Sequence, residues 1–89
     1  MTSYTLKIKR KALNNLQRLP QYLKPPIEDA LKILQTKPIP ARIYDIKKMH
    51  GTENTYRIRI GDIRIVYTIM RPQKEIIIHF IGPRGKAYK

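Results

Sequence analysis

Arginines recur at every second position in one short hairpin of the chain. Residues 56–67 read Tyr-Arg-Ile-Arg-Ile-Gly-Asp-Ile-Arg-Ile-Val-Tyr, and this alternation has the period of a β-strand. Gly61-Asp62 has the composition of a two-residue turn, because glycine adopts backbone angles that other residues avoid. With an even loop centred there, we expect Arg59 directly opposite Arg64, and Arg57 diagonally nearby on the same face.

The predicted register concentrates positive charge. Like charges directly opposed across a sheet repel, typically by a few tenths of a kcal/mol or more. The hairpin would nevertheless place three guanidinium groups on one face, while Tyr56, Ile58 and Ile60 share the other. Such a cluster is expected where an anion from outside the protein neutralises it. The phosphate of RNA is the leading candidate, because the planar guanidinium fork matches phosphate oxygens.

The charge of the whole chain points in the same direction. Its 89 residues include 19 lysines and arginines against six acidic residues, which gives a formal net charge of +13. This imbalance predicts a polyanionic partner, either a nucleic acid or an acidic protein, rather than a surface that is basic for solubility alone. The length predicts one compact domain over residues 1–89 with a modest core.

Composition also narrows the chemistry. The chain has no cysteine, so disulfides, thiolate nucleophiles and thiolate metal ligands are excluded. No apolar run reaches the ~18–20 residues of a membrane span, and the N-terminus does not read as a signal peptide, so we expect a cytoplasmic protein without a membrane partner. Gly-rich phosphate loops and HExxH-type spacings are missing, and we expect neither a metal ion nor a cofactor.

Apolar spacing predicts one strand and two helices in the first half of the chain. Residues 3–9 alternate like a strand, and apolar residues within 12–19 recur at helical spacing until Pro20 ends the helix. A second helix is expected to begin near residues 24–26, because prolines are tolerated in a first turn. Its buried stripe is predicted to be Ile27, Leu31 and Leu34.

The second half of the chain is predicted to contain three strands. Residues 37–44 carry two prolines and should form an extended connector, and residues 45–51 should form a basic loop that leads into the hairpin. After the hairpin, residues 75–81 are almost continuously apolar, as in a strand covered on both sides. The order strand, helix, helix, three strands predicts an α+β domain with a largely antiparallel sheet.

Cations and one tyrosine are the groups left to carry chemistry. RNA supplies its own nucleophile, the 2′-hydroxyl, whose attack on the adjacent phosphorus gives a 2′,3′-cyclic phosphate and a 5′-hydroxyl end. Guanidinium groups can stabilise the charge that develops on the phosphate. They are poor bases, because the arginine pKa lies above about 12. Lys47 and Lys48 are candidate RNA contacts and also candidate bases, since neighbouring cations favour a neutral lysine.

Tyr88 and the two histidines admit more than one interpretation. Nearby positive charge would favour a phenolate at Tyr88, which could instead stack on a splayed base or cover the edge of the core. His50 lies in the basic loop, where it could contact phosphate or transfer a proton, although an incidental loop histidine is the simpler interpretation. We expect His79 to be a strand side chain with a satisfied hydrogen bond. Lys86, in the basic tail, is a further candidate for RNA contact.

Taken in order, these segments resemble the RelE family of the RelE/ParE toxin superfamily over nearly the whole chain. The matching pieces are Lys48-Met49-His50-Gly51, Tyr56-Arg57-Ile58-Arg59, Arg64-Ile65-Val66-Tyr67, and Gly82-Pro83-Arg84 before a terminal tyrosine. The resemblance implies a RelE-like microbial RNase fold, with two helices packed on one face of the sheet. It also implies a ribosome-dependent endoribonuclease, or mRNA interferase, that enters the ribosomal A site and cuts the mRNA codon there.

The resemblance further implies partners and residue roles. The partners would be the ribosome with its mRNA and a RelB-like cognate antitoxin, which wraps the toxin in a hetero-oligomer. Arg57 and Arg59 would occupy positions that commonly hold lysines in the family, which implies another base or catalysis by charge stabilisation. Arg64 would hold the scissile phosphate. Arg84 and Tyr88 would complete the site, although the two are closer in sequence than in the best-known members.

Two other functions fit the same sequence. The ParE branch shares the fold but targets DNA gyrase, and a basic RNA-binding module would have no catalytic activity. The arginine cluster favours the nuclease, because a toxin directed at a protein has no need to gather charge around one phosphate.

Overall fold

The computed structural model describes residues 3–83, and in this range it contains a five-stranded sheet and two α-helices. The elements in chain order are β1 (Thr5–Ile8), α1 (Arg10–Arg18), a 3-10 turn (Gln21–Leu23), α2 (Lys24–Thr36), β2 (Asp45–Lys48), β3 (Thr55–Ile60), β4 (Ile63–Met70) and β5 (Glu75–Pro83). The strand order is β1-β5-β4-β3-β2, with β1 parallel to β5 and the other pairs antiparallel. The predicted α+β class, with a largely antiparallel sheet and two helices on one face, is confirmed. None of the helices in this range is long and apolar enough to cross a membrane.

One strand was predicted as a loop. The sequence predicts a loop over residues 45–51, but Asp45–Lys48 form the edge strand β2, which pairs with β3. Four residues are too few for alternation to separate a strand from a loop, and two consecutive lysines hide the pattern. The correction matters for the site, because the pairing sets Asp45 opposite Arg59.

The connector between α2 and β2 also differs from its prediction. It is not extended throughout, because the carbonyl of Pro40 accepts hydrogen bonds from the backbone N–H groups of Ile43 and Tyr44. These bonds close a turn just before the edge strand. The chain therefore reverses direction locally and leaves the side chain of Ile43 half exposed.

The core lies between the two helices and one face of the sheet. The predicted stripe of α2 is buried, together with Ala30, and α1 buries Ala12 and Leu16. Leu13, one of the apolar residues within 12–19 that recur at helical spacing, is 38% exposed. A nine-residue helix presents only a narrow stripe to the sheet, so one of its leucines remains at the boundary with solvent.

Tyr67 is the largest side chain that is completely buried. It lies on β4 within the core, and its hydroxyl donates a hydrogen bond of 2.7 Å to the carbonyl of Pro38. The ring of Tyr56 stacks against it at a centroid distance of 5.9 Å. Burial, helped by Tyr56, raises the pKa of Tyr67, so its hydroxyl stays protonated and can donate. This bond fixes the α2–β2 connector to the sheet.

A bulge in β5 changes which side chains face the core. The pairing of β4 with β5 shifts between Val66 and Tyr67, which adds one residue to β5 at His79. An extra residue in one strand moves the following side chains to the other face. The prediction of a strand covered on both sides is half right: the core side is fully buried and the other side only partly. The buried residues are Ile76, Ile78 and Ile81, and the half-buried ones are Ile77, His79 and Phe80.

Removing one hydroxyl tests how the connector is held. Tyr67→Phe should lower the free energy of unfolding by about 1 kcal/mol, because the carbonyl of Pro38 loses its donor within the packed core. Urea denaturation measures this change. Tyr22→Phe is the matched control, since Tyr22 is 77% exposed. Equal stability of the wild type and Tyr67→Phe would contradict this account of the connector.

Candidate nucleic-acid interface

The hairpin arginines lie on the side of the sheet that faces away from the helices, which we call the open face. Residues paired directly across strands lie on the same face, so the register defines rows across the sheet. The row nearest the β3–β4 turn, the outer row, contains Asp45, Arg59, Arg64 and Gly82. The next row, the inner row, contains Lys47, Arg57, Val66 and Phe80.

The β3–β4 turn sets this register. Strand β3 ends at Ile60 and strand β4 begins at Ile63, so Gly61-Asp62 is the predicted two-residue turn. Gly61 has a φ of +58°, whereas Asp62 is not among the residues with positive φ, which is the pattern of a type II′ turn. As predicted, Arg59 therefore lies directly opposite Arg64. Arg57, Arg59 and Arg64, the arginine cluster, share one face.

One carboxylate partly balances the arginine cluster. Nη2 of Arg59 lies 3.2 Å from Oδ2 of Asp45, and the two side chains are 44% and 53% exposed. An exposed pair of this kind contributes about 0–1 kcal/mol, so an incoming polyanion can displace it at low cost. Asp45 was not predicted as part of the site, because its pairing with Arg59 depends on a strand that was predicted as a loop.

The inner row is less well balanced. Within residues 3–83, no carboxylate lies at ion-pair distance from Lys47 or Arg57. The Nε of Arg57 is shielded from solvent and has no hydrogen-bond acceptor among these residues. Buried polar groups are normally hydrogen-bonded, so an unused donor beside a cationic cluster marks a place where an external acceptor fits.

A hydrogen-bonded chain crosses three strands beside the inner row. The hydroxyls of Thr55 and Thr68 are 2.7 Å apart, and Oγ1 of Thr68 is 2.7 Å from Nε2 of His79. The hydrogen bond expected for His79 is thus present. Burial, with a smaller contribution from Lys9, lowers the pKa of His79, so its ring is neutral at pH 7. Within residues 3–83, no three His, Asp or Glu side chains are grouped to hold a metal ion.

The remaining candidate residues separate into two groups. Lys48 pairs with Tyr56 and so lies on the helix side of the sheet, because adjacent residues of a strand face opposite sides. His50 is exposed in the turn between β2 and β3. Arg84, Lys86 and Tyr88 lie outside the described residues. The structure therefore brings Lys47 together with the arginine cluster and does not bring Lys48 there.

An aromatic ring on the open face was not predicted as part of the site. A Cβ atom added to Gly82 would lie 2.7 Å from Cζ of Phe80 and 3.3 Å from each Cε. The tip of the Phe80 ring therefore occupies the space above Gly82, and only glycine leaves room for it. The sequence did not predict this position, because Phe80 lies in the nearly continuous apolar run of residues 75–81, where alternation does not assign a face.

Comparison with known proteins identifies the family. Residues 6–88 match the family model described as the ParE toxin of the type II toxin–antitoxin system parDE. The chain is 34% identical over 86 residues to the Methanocaldococcus jannaschii protein named "Putative toxin RelE1", a match that covers 97% of this chain and 96% of that protein. This chain belongs to the RelE/ParE toxin superfamily. The resemblance noted in its sequence is confirmed.

Solved structures of RelE proteins are similar in fold to this RelE/ParE toxin. A chain of the archaeal RelE–RelB complex from Pyrococcus horikoshii OT3 is 33% identical, with a TM-score of 0.84 and coverage of 97% of this chain and 100% of that one. The isolated Escherichia coli RelE toxin is 19% identical, with a TM-score of 0.80 and coverage of 96% and 88%. The second likeness shows the same fold.

The titration of His79 gives a pH test of this face. Because the folded toxin resists protonation of His79, the unfolded chain takes up its proton first as the pH falls through about 6.5. The free energy of unfolding should therefore decrease between about pH 7.5 and pH 5.5. Urea titrations across this range should show a weaker dependence for His79→Gln. His50→Gln, which removes the exposed histidine, should retain more of it, and identical slopes for the wild type and His79→Gln would refute the assignment.

Proposed function

We propose that this toxin is a ribosome-dependent mRNA endonuclease that cuts A-site codons and so inhibits translation in the cytoplasm. The observation that carries the proposal is the convergence of Arg57, Arg59 and Arg64 on one face of the sheet. A toxin that works by binding a protein has no evident use for three guanidinium groups around a single point. A toxin that cleaves RNA does, since charge accumulates on the phosphate in the transition state.

The chemistry would be an internal transesterification. The 2′-hydroxyl oxygen attacks the adjacent phosphorus, the bond to the 5′-oxygen breaks, and the products are a 2′,3′-cyclic phosphate and a 5′-hydroxyl. Arg59 and Arg64 would donate to the phosphate oxygens, because directly opposed side chains start only about 4.5–5.5 Å apart at Cβ. Arg57 would support them from the inner row. No metal ion enters this scheme.

Two protons must also move. One leaves the 2′-hydroxyl and one reaches the departing 5′-oxygen, and arginine is unsuited to both transfers because it stays charged. Lys47 shares the open face with the cluster and lies directly opposite Arg57, which makes it a candidate general base or acid. Arg84 and Tyr88, and the RNA contacts of Lys48, His50 and Lys86, remain predictions from the sequence.

An antitoxin is the proposed protein partner. The P. horikoshii relative and an M. jannaschii protein with 24% identity are described as complexes of RelE with RelB. We infer a RelB-like antitoxin here that presents acidic and apolar residues and forms a hetero-oligomer with the toxin. The net charge of +13 suits an acidic partner. The exposed apolar side chains of the toxin could pack against apolar residues of the same antitoxin; they are Leu13, Tyr22, Ile39 and Ile43.

A gyrase inhibitor is the second candidate, and the name of the matching family model favours it. Two relatives with at least 33% identity carry RelE names instead. Since both branches share a fold, only an assay separates them.

Primer extension on a translated message tests the proposal. Purified toxin added to a translation reaction should produce mRNA 5′ ends with codon periodicity, and these ends should carry 5′-hydroxyl groups. The same mRNA without ribosomes is the control and should stay intact. Intact mRNA together with gyrase-dependent DNA breaks would replace the nuclease with the gyrase inhibitor. Intact mRNA with salt-sensitive RNA binding alone would leave a passive RNA-binding protein.

Single substitutions test the role of the opposed arginines. Arg59→Ala and Arg64→Ala should each slow cleavage by about 100-fold or more, because each removes a donor to the transition state. Their melting temperatures should stay close to wild type, since like-charge repulsion is relieved and Arg59 gives up only an exposed ion pair. Arg42→Ala, in the exposed connector, is the matched control. A large loss of thermal stability that parallels the loss of cleavage would mark these arginines as structural.

A further inference from the structure

Phe80 lies on the open face, outside the hydrophobic core. It is the single phenylalanine of the chain and lies half-buried on the side of the sheet away from the core. The β5 bulge puts it there, since Phe80 pairs with Val66 while Ile81 returns to the core. An aromatic ring at this place contributes little to the packing between helices and sheet.

The ring lies along the strand rather than standing away from it. The two Cε atoms are equally distant, at 3.3 Å, from the position of a Cβ on Gly82, and Cζ is nearer at 2.7 Å. The ring tip is therefore centred above the backbone of Gly82. In this way the ring of an inner-row residue reaches into the outer row, where Gly82 would otherwise leave a gap.

The filled gap lies beside the arginine cluster. Gly82 pairs directly with Arg64, and neighbouring strands are about 4.8 Å apart, so the ring tip and the Arg64 side chain are adjacent on the open face. Val66, a small apolar residue, separates Phe80 from Arg57. The aromatic ring thus has Arg64 beside its tip in the outer row, and Arg57 beyond Val66 in the inner row.

We propose that the Phe80 ring, seated on Gly82, is a stacking platform for one nucleobase of a single-stranded RNA whose backbone is held by the arginine cluster. The inference rests on the proposed function in taking RNA as the ligand, and it adds a base-binding residue to it. Proteins that bind single strands combine a cationic track with aromatic side chains on which bases stack. The pairing of Gly82 with Arg64 places the ring beside a residue proposed to hold the phosphate, which suits a base close to that phosphate.

Variants can distinguish base stacking on the Phe80 ring from a role in which any apolar side chain covers the backbone of Gly82. Phe80→Leu keeps an apolar side chain over the backbone but removes the aromatic face, whereas Phe80→Tyr keeps the ring. Gly82→Ala leaves Phe80 in place and forces its ring tip to move, because the new Cβ would lie 2.7 Å from Cζ. Tyr22→Leu is the matched control, since it removes an exposed aromatic ring that lies on the turn between the two helices.

The experiment is a fluorescence titration of short single-stranded RNA with the full-length toxin. The RNA is 2′-O-methylated throughout, so it cannot be cleaved, and carries 2-aminopurine at each position in turn; an end label reports binding by anisotropy. Wild type, Phe80→Tyr and Tyr22→Leu should quench 2-aminopurine at one position. Phe80→Leu and Gly82→Ala should lose the quenching and bind about tenfold more weakly.

Two results would overturn the platform. One is equal quenching and equal affinity for wild type and Phe80→Leu, and the other is an absence of quenching at every position with the wild type. Neither depends on cleavage, because the RNA lacks the attacking hydroxyl. A toxin that stacks a base but fails the primer-extension assay would keep the platform and lose the nuclease. A toxin that cleaves mRNA but stacks no base would keep the nuclease and lose the platform.

Discussion

The opposition of Arg59 and Arg64 across the β3–β4 hairpin is the constraint on which the candidate site depends. Left alone, two guanidinium groups would separate, and the chain could relieve the repulsion by slipping one residue in register. Such a slip would move Ile58, Ile63 and Ile65 from the core to solvent. Burying an isoleucine is worth roughly 1.5–3 kcal/mol, well above the repulsion, so the apolar side of the hairpin holds the basic side in place.

The open face itself is divided into two regions of different character. Towards the β3–β4 turn lie the arginines, with one exposed carboxylate at their edge. Further along the open face lie Thr55, Thr68 and His79, whose two hydroxyls and Nε2 are hydrogen-bonded to one another. Within residues 3–83, the first region combines an excess of positive charge with an unused donor, the Nε of Arg57. A ligand with several acceptors and negative charge therefore fits the first region, which is where a phosphodiester would be held.

Much of this arrangement could be predicted from the sequence, because alternation and turn chemistry are local signals. The hairpin register, the two helices and the class of fold follow from residues that are neighbours in the chain. Two features could not be predicted in this way. β2 is four residues long, and its pairing with β3, which brings Asp45 to Arg59, is a tertiary fact. The bulge at His79 lies in a nearly continuous apolar run, where a change of face leaves no trace in the pattern.

The bulge also explains how β5 serves both sides of the sheet. Without the extra residue, alternation from Ile76 and Ile78 would point residue 80 into the core and residue 81 outward. With it, Ile81 fills the core and the Phe80 ring lies on the open face, over the one position in the outer row that has no side chain. A local irregularity thus adds an aromatic surface to a basic one without disturbing the apolar layer beneath. Because bulges redirect side chains in this way, the proposed binding of RNA by this face depends on β5 as much as on the hairpin that carries its charge.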